Sequence, residues 1–199
     1  MSFLYMGDNI IPPEMLSIAY EKFHNGPIWS LTNRSVPSDN NTSFGAQQYW
    51  MVKEFEDVNK SIAEKKFNES NIIFNLWNFI NKSIEVEKRF KCSLHKVHLN
   101  GNPPLYDQGV HSDSSQENLC TNDITIVCFL NTEWKMEWGG ELVLYDPTKL
   151  RVIDGTFPVP GRVAAFHATI PHRGVMVSRL CPVMRISVAF QCEFDNSLN

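Results

Sequence analysis

Gly109-Val110-His111-Ser112-Asp113 is the stretch from which the rest of the chain is read. In an extended backbone, residues two apart project from the same face, so the imidazole of His111 and the carboxylate of Asp113 can close on one ion. A second histidine from far downstream would complete a two-histidine, one-carboxylate face, the donor set associated with non-haem Fe(II). Alone, the triplet also suits another metal or a hydrogen-bonded turn. The flanking sequence has to separate these readings.

Upstream the texture is helical. Pro12-Pro13-Glu14 suits a helix start, because proline is tolerated in the first turn and an acid favours the positive end. Met15, Ile18 or Ala19, and Phe23 then repeat at helical spacing until Asn25-Gly26-Pro27 stops them. Trp29 to Ser43 reads as a strand followed by a long polar loop. A second helix is predicted over Val52 to Lys65, with Phe55, Val58 and Ile62 on one face. A third is predicted from about Glu69 to Ile84, with Ile73, Leu76 or Trp77, Ile80 and Ile84 inward. These stripes are sheet-packing faces rather than cofactor boxes.

Beyond Phe90 the period shortens. Leu94 to Leu99 is strand-like and Gly101-Asn102-Pro103-Pro104 breaks it, leading into the loop that delivers His111 and Asp113. Ile124 to Leu130 is a β-rich run with Thr125, Val127 and Phe129 on one face. Trp138-Gly139-Gly140-Glu141 turns into Leu142-Val143-Leu144-Tyr145. Val152-Ile153, Arg162 to Phe166, Val175 to Val177 and Arg185 to Phe190 complete the set. Helices first and many short strands afterwards predict an α+β, mainly β fold: about three helices layered on one sheet of a sandwich or jelly roll.

Composition excludes several classes. With 199 residues, 43% hydrophobic and 20% charged, the chain fits one globular domain with a sizeable core. The net charge of −4 shows no basic footprint and disfavours nucleic acid as a partner. The opening residues lack the features of a signal peptide, and no stretch approaches the length of a membrane span. Five unevenly spaced cysteines (Cys92, Cys120, Cys128, Cys181 and Cys192) without a Cys-x-x-Cys read as reduced thiols of a cytoplasmic protein.

Taken in order, six pieces resemble the Fe(II)- and 2-oxoglutarate-dependent oxygenases, and in particular the small prolyl 4-hydroxylase-like branch that includes phage-encoded members. They are His111-Ser112-Asp113, Phe129-Leu130-Asn131-Thr132-Glu133-Trp134, Trp138-Gly139-Gly140-Glu141-Leu142, Pro160-Gly161-Arg162-Val163-Ala164-Ala165-Phe166, Pro171-His172-Arg173-Gly174 and Arg185-Ile186-Ser187-Val188-Ala189-Phe190. The resemblance covers about residues 93–192. It implies a single domain over 1–199, in which 1–92 supply helical support and the first strands and 93–192 form a double-stranded β-helix.

The resemblance also assigns roles. His111, Asp113 and His172 would be the iron ligands and, with Arg185, the catalytic set. Arg185 would pair with the far carboxylate of 2-oxoglutarate, a task suited to a planar guanidinium. Ser187 would assist from the same strand face, with Thr125 and Asn100 facing the cofactor. Fe(II), 2-oxoglutarate and O2 are the implied cofactors, with ascorbate a candidate reductant. The implied reaction couples decarboxylation of 2-oxoglutarate to succinate and CO2 with hydroxylation of a C–H bond. A peptidyl residue, proline first, is the favoured substrate. A free amino acid, a nucleotide, a nucleic-acid base as in AlkB-like enzymes, and a silent binding module remain alternatives. A phage-encoded member would act in the host cytoplasm.

Two departures and several competing residues stand beside this. Phe129 occupies a position where prolyl hydroxylases often carry tyrosine, which shifts that load to Arg185, Ser187 and Tyr106. The gap from His172 to Arg185 is longer by a few residues than in the animal prolyl hydroxylases. His167 competes with His172 as distal ligand, and the family pattern favours His172. His24, His95 and His98 read as surface or hydrogen-bonding histidines, with His98 sharing a strand face with Asn100. Trp134 and Trp138 read as core anchors, Arg162 as a strand-edge charge, and the polar segments 33–48 and 114–122 as lids.

Overall fold

Strand β4 (Lys91–Asn102) pairs along its whole length with β10 (Arg185–Asp195), and the site is built around this pair. The computed structural model describes residues 3–26, 31–34, 49–56, 71–88, 91–114 and 122–195. Within them lie β1 (Tyr5–Gly7), α1 (Pro13–Asn25), β2 (Leu31–Arg34), β3 (Tyr49–Glu56) and α2 (Asn71–Lys88). After β4 come β5 (Asp123–Phe129), a 3-10 turn (Met136–Trp138), β6 (Leu142–Tyr145), β7 (Val152–Thr156), β8 (Val163–His167), β9 (His172–Gly174) and β10. Seven strands form one antiparallel sheet in the order β1-β8-β5-β10-β4-β3-β2, and three form a second in the order β7-β6-β9. The described part of the chain is mainly β, with two α-helices.

The two faces of the large sheet follow from strand alternation. Val97, Leu99, Ile124, Ile126, Cys128, Val163, Ala165, Ile186, Val188 and Phe190 face the helices and join one core with Leu16, Ala19 and Phe23 of α1 and Ile73, Leu76, Trp77, Ile80 and Ile84 of α2. The alternate residues Val127, Phe129, Ala164, Phe166 and Ala189 face inward and pack with Leu142, Leu144 and Ile170 on the side of the small sheet. By register, Asn102 stands opposite Arg185, Asn100 opposite Ser187, and Ser187 opposite Phe129 on the other side. That row lines the inner face.

A further stretch extends the small sheet. Leu105 N–H donates to Val177 O at 2.8 Å, Asp113 N–H to Ala168 O at 2.9 Å, and His111 and His172 exchange both main-chain bonds at 3.0 and 2.8 Å. Residues 105–113 therefore run antiparallel to 168–177 on the side of β9 away from β6.

Several predicted elements are corrected. Val52 to Glu56 does not begin a helix: it is the second half of β3, in register with β4 from Met51↔Gly101 to Glu56↔Lys96. Tyr49-Trp50-Met51-Val52 favours a strand, and pairing with a central strand overrides the helical spacing that follows. The rest of that predicted helix, 57–65, lies outside the described residues, as do Cys120 and most of the two polar segments read as lids, 35–48 and 115–121. Gly101-Asn102 does not break β4 but continues it, because each residue has a partner on β10, and Pro103 ends it. The strand placed at Val175 to Val177 sits earlier, at His172–Gly174, with Val177 in a lone bridge to Gly139. In α1 the buried stripe is Leu16, Ala19 and Phe23, while Ile18 is exposed.

No described helix is long and apolar enough to cross a membrane. Cys92, Cys128, Cys181 and Cys192 are free and buried.

Candidate metal centre

His111 and Asp113 leave the segment beside β9, and His172 begins β9 itself, so the main-chain bridge between the two histidines sets their side chains side by side. Their ring centroids are 4.5 Å apart. Nε2 of His111 lies 3.7 Å from Oδ1 of Asp113, and Nε2 of His172 lies 3.6 Å from Oδ2. One ligand atom from each of the three residues falls within 4.8 Å of the others.

Main-chain carbonyls fix the imidazoles. Nδ1 of His111 is 3.0 Å from Gly109 O, and Nδ1 of His172 is 2.9 Å from Ile170 O. A carbonyl only accepts, so each ring carries its proton on Nδ1 and turns the Nε2 lone pair toward Asp113. Burial pushes His172 below the usual histidine pKa, with Asp113 opposing and His111 reinforcing, which keeps the ring neutral. Burial works to raise the Asp113 carboxyl. His172, His111 and the Thr125 hydroxyl outweigh it and hold the group below the usual aspartate value. Two imidazoles and one carboxylate, aimed at a common point, fit a divalent first-row metal.

His167 is the fifth residue of β8 and falls in the row of Val163 and Ala165, on the helix-facing side. Alternation separates it from the triad, whereas Phe166, the residue before it, packs edge-on against the His172 ring at 4.6 Å.

Arg185 is buried on the inner face at the start of β10. Its Nη2 donates to Asn102 Oδ1 at 2.8 Å, its Nη1 donates to Gly140 O, and its Nε is buried without a hydrogen-bond partner. Gly174 forms the wall behind it: a Cβ there would come within 2.9 Å of Nη1 and 3.0 Å of Cζ, and closer still to Nη2. Asn131 steadies this end of β10, accepting from Ile186 N–H at 2.7 Å and donating to Met184 O at 2.9 Å. Burial brings the Arg185 guanidinium down to about 10, with Glu141 acting in the opposite sense, so it stays charged at neutral pH. Among the described residues it makes no ion pair. A buried, charged guanidinium held among the described residues by neutral acceptors could hold an anionic ligand.

The remaining expected residues take these places. Ser187 is buried one inward step along β10 from Arg185, between Asn100 and Phe129 in register. Thr125 donates to Asp113 Oδ2 at 2.6 Å, so its hydroxyl serves the triad directly. Tyr106 is half-buried beyond the end of β4, with its N–H on Pro103 O. Trp138 is buried and Trp134 packs edge-on against it at 5.4 Å while donating to Gly139 O. Arg162 forms an ion pair with Asp8 and donates to Thr156. Asn102 and Gln108, whose Oε1 accepts from Gly174 N–H, were given no site role by the sequence, and Gly140 was read only as part of a turn motif. Asn102 was legible as the next inward residue after Asn100. The other two depend on loop paths that no periodicity encodes.

A mainly antiparallel β protein that gathers two histidines and an aspartate beside a buried arginine has the make-up of a metal-binding protein. Residues 101–191 match the model of the 2OG-Fe(II) oxygenase superfamily. The cofactors of that family are Fe(II), 2-oxoglutarate and O2. Among solved structures, the chain resembles a prolyl-4-hydroxylase from Pseudomonas putida, with 14% identity, 95% of this chain and 91% of that chain covered, and a TM-score of 0.57. A viral collagen prolyl hydroxylase from Paramecium bursaria Chlorella virus-1, in a 2OG complex, gives 15%, 96%, 94% and 0.57. A prolyl hydroxylase from Trichoplax adhaerens, in complex with a hypoxia inducible factor oxygen degradation domain peptide fragment, gives 15%, 95%, 82% and 0.60. At these identities the likeness is one of fold. No curated protein matches the sequence.

Proposed function

We propose that the chain is a 2-oxoglutarate-dependent dioxygenase that hydroxylates a C–H bond of a peptidyl residue, proline first, with release of succinate and CO2. The observation that carries this is the shared inner face: a triad suited to a divalent ion lies there together with the buried Arg185, which makes no ion pair among the described residues. The prolyl hydroxylases among the similar structures, one of them peptide-bound, support the choice of substrate.

We read the architecture as a jelly roll, a single domain with 1–92 as support and 93–192 as core. Connectivity supports it: β4, the 105–113 stretch, β5, β6-β7, β8, β9 and β10 pass alternately between the large and small sheets. The fold thereby delivers His111, Asp113 and His172 to one end of the sandwich from separate crossings.

Bound Fe(II), with 2-oxoglutarate and O2, supplies the oxidising chemistry. The residues supply placement. His111, Asp113 and His172 hold the ion by three donors and leave the other positions open. Arg185 and Ser187 take the far carboxylate of the 2-oxo acid, which fixes its depth. Phe129, Val127 and Ala189 keep the floor apolar. With phenylalanine at 129, no hydroxyl reaches the acid from that position.

Anaerobic addition of Fe(II) and 2-oxoglutarate should give a weak visible charge-transfer band, absent in His172→Ala. Aerobic incubation should release succinate, and proline-containing peptides should gain one oxygen by mass spectrometry. Iron binding with neither band nor succinate would overturn the reading.

A further inference from the structure

Asn102 is almost wholly enclosed, 1% exposed, and is the register partner of Arg185 across β4 and β10. Its Oδ1 accepts from Nη2 at 2.8 Å while Gly140 O takes Nη1, and Gly174 offers no side chain that could fill the space behind. Both acceptors are neutral. An aspartate at 102 would have almost the same shape and would form a buried ion pair with the guanidinium, the more usual company for a buried arginine. The chain places an amide there instead.

We infer that Asn102 is a positioning residue for the cosubstrate: its neutral amide fixes the orientation of Arg185 without neutralising it, and so reserves the positive charge for the distal carboxylate of the 2-oxo acid. This rests on the reading of Arg185 as the carboxylate anchor. Asn102 orients one edge of the guanidinium, and the buried Nε and the remaining Nη protons are left to receive two carboxylate oxygens. The amide also keeps the pocket from carrying a resident anion. A carboxylate at 102 would occupy the arginine from inside and repel the incoming acid.

The test uses the full chain loaded with Mn(II), which binds without turnover, and measures binding of 2-oxoglutarate by calorimetry. 2-Oxopentanoate, the same chain without the far carboxylate, serves as the second probe. Asn102→Asp should weaken 2-oxoglutarate binding by about 100-fold or more, the scale expected when a charged ligand loses its free counter-charge. Asn102→Ala, which removes one hydrogen bond to a charged group, should weaken it by about 10- to 100-fold. Affinity for 2-oxopentanoate and for Mn(II) should stay within about twofold in both variants. An Asn102→Asp protein that binds 2-oxoglutarate like the parent, or that loses both acids alike, overturns the inference. Should that variant fail to fold, Asn102→Ala decides by the same comparison. Failure of the parent itself to bind 2-oxoglutarate would overturn the anchor reading and this inference together, and would be recognised by that parent measurement.

Discussion

The hydroxyl of Thr125 donates to Oδ2 of Asp113 at 2.6 Å, joining the large sheet to the segment that carries the metal-binding triplet. The aspartate is therefore oriented by a neighbour outside its own loop, as carboxylate ligands of metal sites commonly are. Thr125→Val keeps the shape and removes the donor. Divalent-metal affinity, titrated with Mn(II), should fall by about 10- to 100-fold, and Thr125→Ser should restore most of it.

The two distal-histidine readings separate cleanly by substitution. His172→Ala should abolish stoichiometric Fe(II) or Mn(II) binding, measured as metal content after desalting. His167→Ala should leave it intact, because β8 turns that side chain toward the helices. Retained metal in His172→Ala with loss in His167→Ala would reverse the assignment.

Gly174 leaves room for the Arg185 guanidinium, and a methyl group there would collide with Cζ and both terminal nitrogens. Relief requires the arginine or β9 to shift, at about 1–3 kcal/mol for an overpacked site. Gly174→Ala should raise KM for 2-oxoglutarate while the protein still loads metal through His111, Asp113 and His172. An unchanged KM would show that the guanidinium has slack in that direction.

A modest acid sensitivity should come from Asp8. The side-chain hydrogen bonds from Arg162 hold its carboxyl below the usual 3.8, against a smaller effect of burial. A depressed folded-state pKa gives stability that is fully present above the unfolded value and disappears as pH falls through the folded one. Asp8 is 44% exposed, so water screens the pair. Asp8→Asn should cost about 0.5 kcal/mol at pH 7, read by urea denaturation, with the difference shrinking as pH falls below the usual aspartate value and the carboxyl protonates in the folded state.

The helices with wide apolar stripes and the β-rich second half were readable because burial imposes its period on the sequence. Ile73, Leu76, Trp77, Ile80 and Ile84 face the core as their spacing requires. The segment at Val52 misled because Phe55 and Val58 fit a helical turn, while pairing with β4 lies beyond any local window. The site was legible through order: His111, Asp113, His172 and Arg185 appear in sequence as their strands require. What surrounds them was not. The bond from Asn102 to Arg185 follows from a register between distant strands, and Thr125, expected to face the cofactor, donates to Asp113.

The paired main-chain bonds between His111 and His172 have a further consequence for how the protein acquires its metal. These residues are distant along the chain, and closing so large a loop is entropically costly until the strands between them are in place. A nascent or partly unfolded chain thus has only the local His111–Asp113 pair and lacks the third donor. Metal capture reports that the last third of the molecule has docked, and a bound ion in turn favours the docked state by mass action. Iron supply and folding yield become linked quantities for this protein.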